Sequence, residues 1–133
     1  MENTKKYAAV ITGDIANSQH LSDADLTHVL KVLTRELKAQ TSCHGGQYDL
    51  FRGDAFQAVI CTPKLAMQAA ICVRLALKAC TPSTDVRISV ALGEVSVTEG
   101  QVKTGTGSAF VRSGRALDNL KSQYLVFISD DED

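Results

Sequence analysis

The sequence predicts one α+β domain of ferredoxin-like type, in which an antiparallel sheet carries helices on one face. The chain has 133 residues, 44% of them hydrophobic, and this is the size and composition of a single globular domain. Its apolar segments alternate between strand-like and helix-like patterns in the order βαββαβ, followed by αβ. A hairpin in the middle of that order is typical of the ferredoxin-like arrangement. We therefore expect residues 1–133 to form one domain that ends in an acidic tail at 130–133.

The first strand and the first helix have clear local signals. Residues 7–12 are apolar and β-prone and lead into Gly13-Asp14, which predicts a buried strand whose C-terminal end presents a carboxylate. Ser22, with Asp25 three residues later, predicts the N-cap of a helix. Leucines and valines at helical spacing extend this helix to about Gln40.

A hairpin and a second helix follow. Residues 47–51 and 55–61 predict two short strands, and the turn Arg52-Gly53-Asp54 between them places an aspartate at the hairpin tip. Thr62-Pro63 predicts a helix start, since proline is favoured at the first helical position. The apolar segment 65–80 predicts a mostly buried helix.

The last third of the chain predicts a strand, a short return strand, a helix and a final strand. Residues 86–92 predict the strand, and Gly93 suggests a turn into a return strand at 95–98. Residues 108–121 predict a helix with Phe110, Leu117 and Leu120 facing inward, and residues 124–129 predict the final strand.

Composition excludes several classes of partner. The 14 basic and 15 acidic residues give a net charge of −1, so the chain lacks the positive field and, with no tryptophan, the stacking surface that nucleic-acid binding favours. It also has no apolar run of the roughly 20 residues that span a bilayer, and from its first residues we expect no signal peptide. The four cysteines form no CxxC pair, so we expect a reducing, cytoplasmic location with no membrane partner.

Two aspartates are the strongest candidates for chemistry. Asp14 ends the first strand and Asp54 lies on the hairpin turn, and in a βαββαβ sheet the first strand pairs beside that hairpin. Two converging carboxylates, each next to a glycine, suit a hard divalent cation such as Mg²⁺, which in turn binds phosphates. The alternative is that Asp14 caps the following loop and Asp54 only forms the turn.

Four sequence blocks resemble the SatD-like bacterial proteins. They are Gly13-Asp14-Ile15-Ala16-Asn17-Ser18, Arg52-Gly53-Asp54-Ala55-Phe56-Gln57, Arg87-Ile88-Ser89-Val90-Ala91-Leu92-Gly93 and Gly107-Ser108-Ala109-Phe110-Val111-Arg112-Ser113-Gly114-Arg115-Ala116-Leu117. More distantly, the blocks resemble the catalytic domain of class III adenylate and guanylate cyclases. This second resemblance implies the palm-like version of the ferredoxin fold.

The cyclase resemblance implies a metal and nucleotide site. Asp14 and Asp54 match the two metal-binding aspartates, and the carbonyl of Ile15 would be a further ligand of Mg²⁺ or Mn²⁺. In such enzymes one metal acidifies the ribose 3′-hydroxyl and the other holds the β- and γ-phosphates of a nucleoside triphosphate. The residues expected to contact phosphate are Ile15, Ala16, Asn17, Ser18, Arg52 and Gly53.

The resemblance also implies a homodimer, because cyclases take an arginine for the transferred phosphate from the partner subunit. Arg115 falls at that position and Arg112 lies three residues earlier on the same helical face. The alternative for both arginines is a solvated surface charge. Two cyclase positions differ here, since Val111 replaces an asparagine and Leu50 replaces the lysine that reads adenine.

These departures favour a nucleotide-binding domain over an efficient enzyme, because losing one preorganised donor lowers catalysis on the order of 10²- to 10³-fold. The leading hypothesis is a Mg²⁺-dependent nucleotide-binding domain that acts in signalling or regulation with weak or no turnover. The alternatives are a homodimeric nucleotidyl cyclase or cyclic-oligonucleotide synthase, and a non-catalytic protein-interaction module on the same fold.

Overall fold

The computed structural model describes residues 4–43, 46–51, 53–97, 102, 105–120 and 124–128. Within these ranges the elements are β1 (Thr4–Ile15), α1 (Asp23–Cys43), β2 (Gly46–Phe51), β3 (Ala55–Ile60), α2 (Ala66–Lys78), β4 (Val86–Val97), α3 (Ser108–Asp118) and β5 (Leu125–Ile128). Short 3-10 helices precede α1 and α2, at Ser18–His20 and Pro63–Leu65. Arg52 and the acidic tail at 130–133 lie outside the described residues.

The strands form one sheet in the order β2-β3-β1-β4-β5, with β1 at its centre. The pairs β2–β3, β3–β1 and β1–β4 are antiparallel, whereas β5 lies parallel to β4. The parallel pair follows from the connection through α3, because a crossover returns the chain to the same end of the sheet before the next strand begins. The α+β class and the ferredoxin-like arrangement predicted from the sequence are confirmed.

Helices α1 and α2 pack together on one face of the sheet and bury the larger core. That core includes Ile11, Leu33, Phe56, Val73, Leu77 and Ile88, all at most 1% exposed. Helix α3 comes after the βαββαβ unit and packs on the opposite face, where Phe110 and Ala109 contact the cluster of Val10, Val59 and Val95. No helix in the described ranges is long and apolar enough to cross a membrane.

The predicted return strand at 95–98 is wrong, because Val95–Val97 continue β4 without a turn. Strand β4 pairs with β1 along its whole length, from Val86 opposite Ile15 to Val97 opposite Thr4. Gly93 does not turn the chain, although its φ is 157°. It is needed for close packing instead, because a Cβ there would lie 2.5 Å from Ser108 Oγ on α3. Thr98 lies outside the described residues.

The sequence predicts where the helices begin more accurately than where they end. Ser22 Oγ accepts a hydrogen bond from Asp25 N at 3.1 Å, as the predicted N-cap requires. Helix α1 runs three residues past Gln40, to Cys43, and Thr41 Oγ1 donates to Leu37 O at 2.8 Å in the added turn. The positions predicted to face inward from the last helix, Phe110, Leu117 and Leu120, are buried, but α3 ends at Asp118 and Leu120 lies beyond it.

Candidate functional site

The two candidate aspartates lie next to each other at one end of the sheet. Asp14 pairs with Ala55 in the β1–β3 register, so Asp54 is one residue beyond that pair. The backbone joins them, because Ile15 N donates to Asp54 O at 2.9 Å. The end of β1 therefore lies beside the tip of the β2–β3 hairpin, as the sequence predicts.

Asp14 is held by an arginine that the sequence analysis did not assign to the site. In the β1–β4 register Arg87 lies directly opposite Asp14. Arg87 Nε donates to Asp14 Oδ1 at 3.0 Å and Arg87 Nη2 donates to Oδ2 at 2.7 Å. The hydrogen bond to Asp14 raises the pKa of Arg87 above its ordinary value, although burial opposes this. The pair is not sealed from solvent, since the Asp14 side chain remains 22% exposed.

Asp54 is oriented from the loop after β1. Ser18 Oγ donates to Asp54 Oδ2 at 2.7 Å, and this bond ties the loop to the hairpin tip. Among the described residues, Oδ1 of Asp54 accepts no hydrogen bond, and Asp54 lines the cavity described below. Ser18, predicted from the resemblance to contact phosphate, thus also positions the second carboxylate.

The loop after β1 supplies two open backbone donors. Asn17 adopts the left-handed conformation with φ 56° and ψ 36°, which asparagine tolerates better than most residues. In the described part of the chain, the amides of Asn17 and Ser18 donate to no protein group. Ala16 differs from expectation, because its amide donates to Asp85 O at 2.9 Å and is not available to a phosphate.

These groups surround one cavity of about 610 Å³. Its lining consists of Asp14, Ile15, Ala16, Asn17, Ser18, Gln19, Asp54, Arg87 and Tyr124. Two carboxylates and one guanidinium give this lining a formal charge of −1. A divalent cation would reverse the sign, so that a cation together with phosphate groups suits the cavity better than either alone.

The donor set fits a hard divalent cation and its phosphates. Asp54 has an unpaired oxygen, and each Asp14 oxygen bonded to Arg87 keeps a second lone pair. Carboxylate oxygens are the ligands that Mg²⁺ and Mn²⁺ prefer. The open amides of Asn17 and Ser18 fit phosphate oxygens. No cluster of three or more His, Cys, Asp or Glu side chains occurs in the described ranges, so the carbonyl of Ile15 or phosphate oxygens would complete the coordination.

Three of the predicted residues do not line this cavity. Gly53, with φ 79°, shapes the hairpin turn and is exposed. Arg112 Nη1 donates to Leu92 O at 3.3 Å, part-way along β4, and Arg115 is exposed on α3. The structure therefore brings neither α3 arginine to the aspartates of its own chain. The role predicted for Arg52 falls outside the described residues.

Three cavity residues, Gln19, Arg87 and Tyr124, were missed by sequence reasoning. Arg87 is the one charged side chain in the otherwise apolar or small run from Val86 to Leu92, and that break in the pattern could have marked it. Its position opposite Asp14 depends on the register of β1 and β4, which the sequence does not specify. Tyr124 precedes β5 and carries no comparable signal.

No protein-family model matches the chain, and no curated protein sequence matches it. Solved structures do match. The monomeric guanylyl cyclase domain of the RhoGC fusion protein from the aquatic fungus Blastocladiella emersonii superimposes with a TM-score of 0.70 and 21% identity, covering 91% of this chain and 80% of that one. The adenylyl cyclase CyaB from P. aeruginosa gives a TM-score of 0.68 and 19% identity, covering 89% and 74%.

A third structure is the catalytic core of a rhodopsin-guanylyl cyclase with converted specificity in complex with ATPαS. It gives a TM-score of 0.70 and 21% identity, covering 90% of this chain and 76% of that one. The chain thus has the fold of guanylyl and adenylyl cyclase domains, which is the palm-like fold expected from the sequence. At these identities the likeness establishes the fold and no more.

Proposed function

We propose that this protein is a nucleotide-binding domain of SatD-like type that holds its ligand through Mg²⁺ or Mn²⁺ and acts in signalling or regulation with weak or no turnover. One observation carries the proposal. Asp14, Asp54, Asn17 and Ser18 line the same cavity, and the amides of Asn17 and Ser18 donate to no group among the described residues, so candidate metal ligands and phosphate donors lie together. The cyclase fold supports the nucleotide as the ligand class, since one neighbour is described in complex with ATPαS.

Each group has a defined role in this proposal. Asp14 and Asp54 hold the cation, Ser18 keeps Asp54 in place, and the amides of Asn17 and Ser18 bind phosphate oxygens. When bound, the cation supplies positive charge that offsets both the carboxylates and the phosphates.

Weak turnover is supported by what the cavity lacks. Val111 is half exposed on α3 where cyclases place an asparagine, and Leu50 stands where they place a lysine. Within one chain, Arg87 is the cavity's cationic side chain among the described residues, and it is paired with Asp14.

The test is calorimetric titration of the protein with ATP and with GTP in excess Mn²⁺, for the wild type and for Asp14→Asn and Asp54→Asn. We expect each substitution to weaken binding at least tenfold, because each removes one anionic ligand of the cation. Asp23→Asn on α1 is the matched control, since it makes the same chemical change at an exposed position. Unchanged binding in both site variants would contradict the metal-dependent hypothesis, whereas no binding by the wild type would leave the protein-interaction module.

An enzyme is the second candidate, and the exposure of Arg115 is the observation that favours it. An exposed arginine on α3 is available to the cavity of a second copy, as the resemblance to cyclases implies. In that case the ribose 3′-oxygen would bond to the α-phosphorus and pyrophosphate would leave. Mass spectrometry after incubation with the four nucleoside triphosphates and Mn²⁺ separates the two candidates, since many equivalents of a cyclic or linked nucleotide per protein chain accumulate only with an efficient enzyme.

A further inference from the structure

Strand β5 forms one edge of the sheet, and its outer side has no partner strand among the described residues. The register pairs Ile88 with Leu125, and Ile88 N donates to Tyr124 O at 2.9 Å. Hydrogen bonds to one neighbouring strand involve every second residue, so the N–H and C=O groups of Val126 face β4. Those of Leu125 and Phe127 therefore point outward, and in the described part of the chain they make no hydrogen bond.

Beyond the end of β5, the outer edge of β4 is covered by other parts of the chain. Glu94 N donates to Ser108 Oγ on α3 at 2.9 Å. Ser96 exchanges two backbone hydrogen bonds with Thr106, at 2.8 and 2.9 Å. Natural proteins protect edge strands with such contacts, with charged side chains or with proline. Within the described ranges none of these protects Leu125–Ile128, so β5 is free to pair with a further strand.

Exposed apolar side chains flank this free edge. Phe127 on β5 is 41% exposed, and Tyr124, directly before the strand, is 37% exposed. Ile71 on α2 is 43% exposed and lies one turn before Arg74, whose guanidinium carbon is 5.6 Å from the ring centre of Tyr124. Because α2 ends near the start of β5, Ile71 lies from this contact in the direction of Phe127. Free backbone groups beside exposed apolar side chains are typical of a surface that binds another protein strand.

The two ends of β5 differ in charge. Arg74 and Lys78 lie at the end where the strand begins, and both contact Asp85, at 2.8 and 3.1 Å, so two cations and one carboxylate give this end a formal charge of +1. The strand leads into residues 130–133, all four of which are acidic. Two copies of β5 that ran in the same direction would bring their acidic segments together. Opposite directions bring each acidic segment toward the cations of the other copy, so the charges favour antiparallel pairing of β5 with itself.

We propose that β5 pairs antiparallel with β5 of a second copy, about a two-fold axis beside Val126, and so joins two five-stranded sheets into one. Leu125 and Phe127 of each copy then exchange backbone hydrogen bonds with Phe127 and Leu125 of the other. Two four-residue strands make a small interface, so we expect a Kd on the order of 0.1 mM. The contact uses the edge of the sheet, so it is separate from any association through Arg115 and does not depend on nucleotide binding.

The experiment is amide hydrogen exchange, measured by NMR on the full chain at about 20 μM and at about 1 mM. The amides of Leu125 and Phe127 should exchange about fourfold more slowly at the higher concentration, because pairing removes them from water. The Val126 amide, which faces β4, should exchange equally slowly at both concentrations. Association through any other surface would leave the Leu125 and Phe127 amides unchanged, so this measurement is specific to the β5 edge.

Phe127→Lys should abolish the concentration dependence at Leu125, because it adds a like charge to both copies at the edge. A slowly exchanging Val126 amide shows that β5 is still paired with β4 in this variant. Leu75→Lys, the same kind of change at an exposed position of α2, is the matched control and should behave as the wild type.

Three results would overturn the proposal. Fast exchange of Leu125 and Phe127 at both concentrations would mean that no second copy pairs with β5. Slow exchange at both concentrations would mean that the edge is covered within one chain. An undiminished concentration dependence in a folded Phe127→Lys variant would mean that the protection arises from another contact.

Discussion

Arg87 and a divalent cation would compete for the same carboxylate. Both Asp14 oxygens accept a hydrogen bond from the Arg87 guanidinium, so a cation that binds Asp14 meets a positive charge already in place. A phosphate beside the cation offers Arg87 another anion. Metal and nucleotide should therefore bind more tightly together than separately.

Replacing Arg87 tests this competition. In Arg87→Gln, Mn²⁺ affinity measured by electron paramagnetic resonance without nucleotide should rise about three- to tenfold, a modest effect because the pair is partly exposed. The gain in Mn²⁺ affinity on adding nucleotide should shrink. Arg35→Gln, on the exposed side of α1, is the control. Equal or weaker Mn²⁺ binding in Arg87→Gln would mean that the arginine does not oppose the cation.

At the scale of single residues, the sequence predicts those site residues whose neighbours in the chain carry a local signal. Asp14 and Asp54 each follow a glycine at a strand end or turn, so local signals were enough to place both carboxylates at one end of the sheet. Arg87 and the occupied amide of Ala16 were not found, because both depend on contacts between segments about 70 residues apart. Such contacts follow from strand register and not from local pattern.

At the scale of elements, the wrong prediction of a return strand at 95–98 has a physical cause. Glycine after an apolar run commonly marks a turn, and Gly93 was interpreted in that way. The glycine serves instead to let α3 approach the sheet, and a long-range contact of this kind leaves no local mark in the sequence. The order of strands and helices was predictable because each apolar period is long enough to be distinct.

Two glycines provide a matched test of this interpretation. Gly93→Ala places a methyl group 2.5 Å from Ser108 Oγ and 3.0 Å from Ala109 N, so we expect a loss of about 1–3 kcal/mol in unfolding free energy. Gly114→Ala, inside α3, has no neighbour within 4 Å and should gain about 0.5–1 kcal/mol from helix propensity. Urea denaturation measures both. Similar effects of the two substitutions would remove the packing explanation for Gly93.

At the scale of the whole molecule, the position of the α3 arginines bears on assembly. Helix α3 covers part of the face opposite α1 and α2, and β2, whose residues are all of intermediate exposure, forms the more open part. Asp49 lies on this open part, because it pairs with Gln57, which in turn pairs with Thr12 on the α3 side.

We predict a homodimer in which this open part faces a second copy. Sedimentation equilibrium should show concentration-dependent dimerisation, and Asp49→Lys should shift it toward monomer, whereas Asp23→Lys on α1 should not. If the protein is a monomer at every concentration, Arg115 cannot contact the cavity of a second copy, and it does not reach the cavity of its own chain.

The ion pair between Asp14 and Arg87 has one further consequence, which concerns whether the protein folds before it binds a metal ion. Asp14 and Asp54 would repel each other during folding if nothing balanced their charges, but Arg87 supplies a positive charge from the same chain. We therefore expect the protein to fold without a metal ion, and in a chelator the melting temperature should fall only by the stabilisation that the bound cation adds. Under the proposed function, the cation would bind to and dissociate from the folded protein, as a reversible sensor requires and a structural metal does not allow.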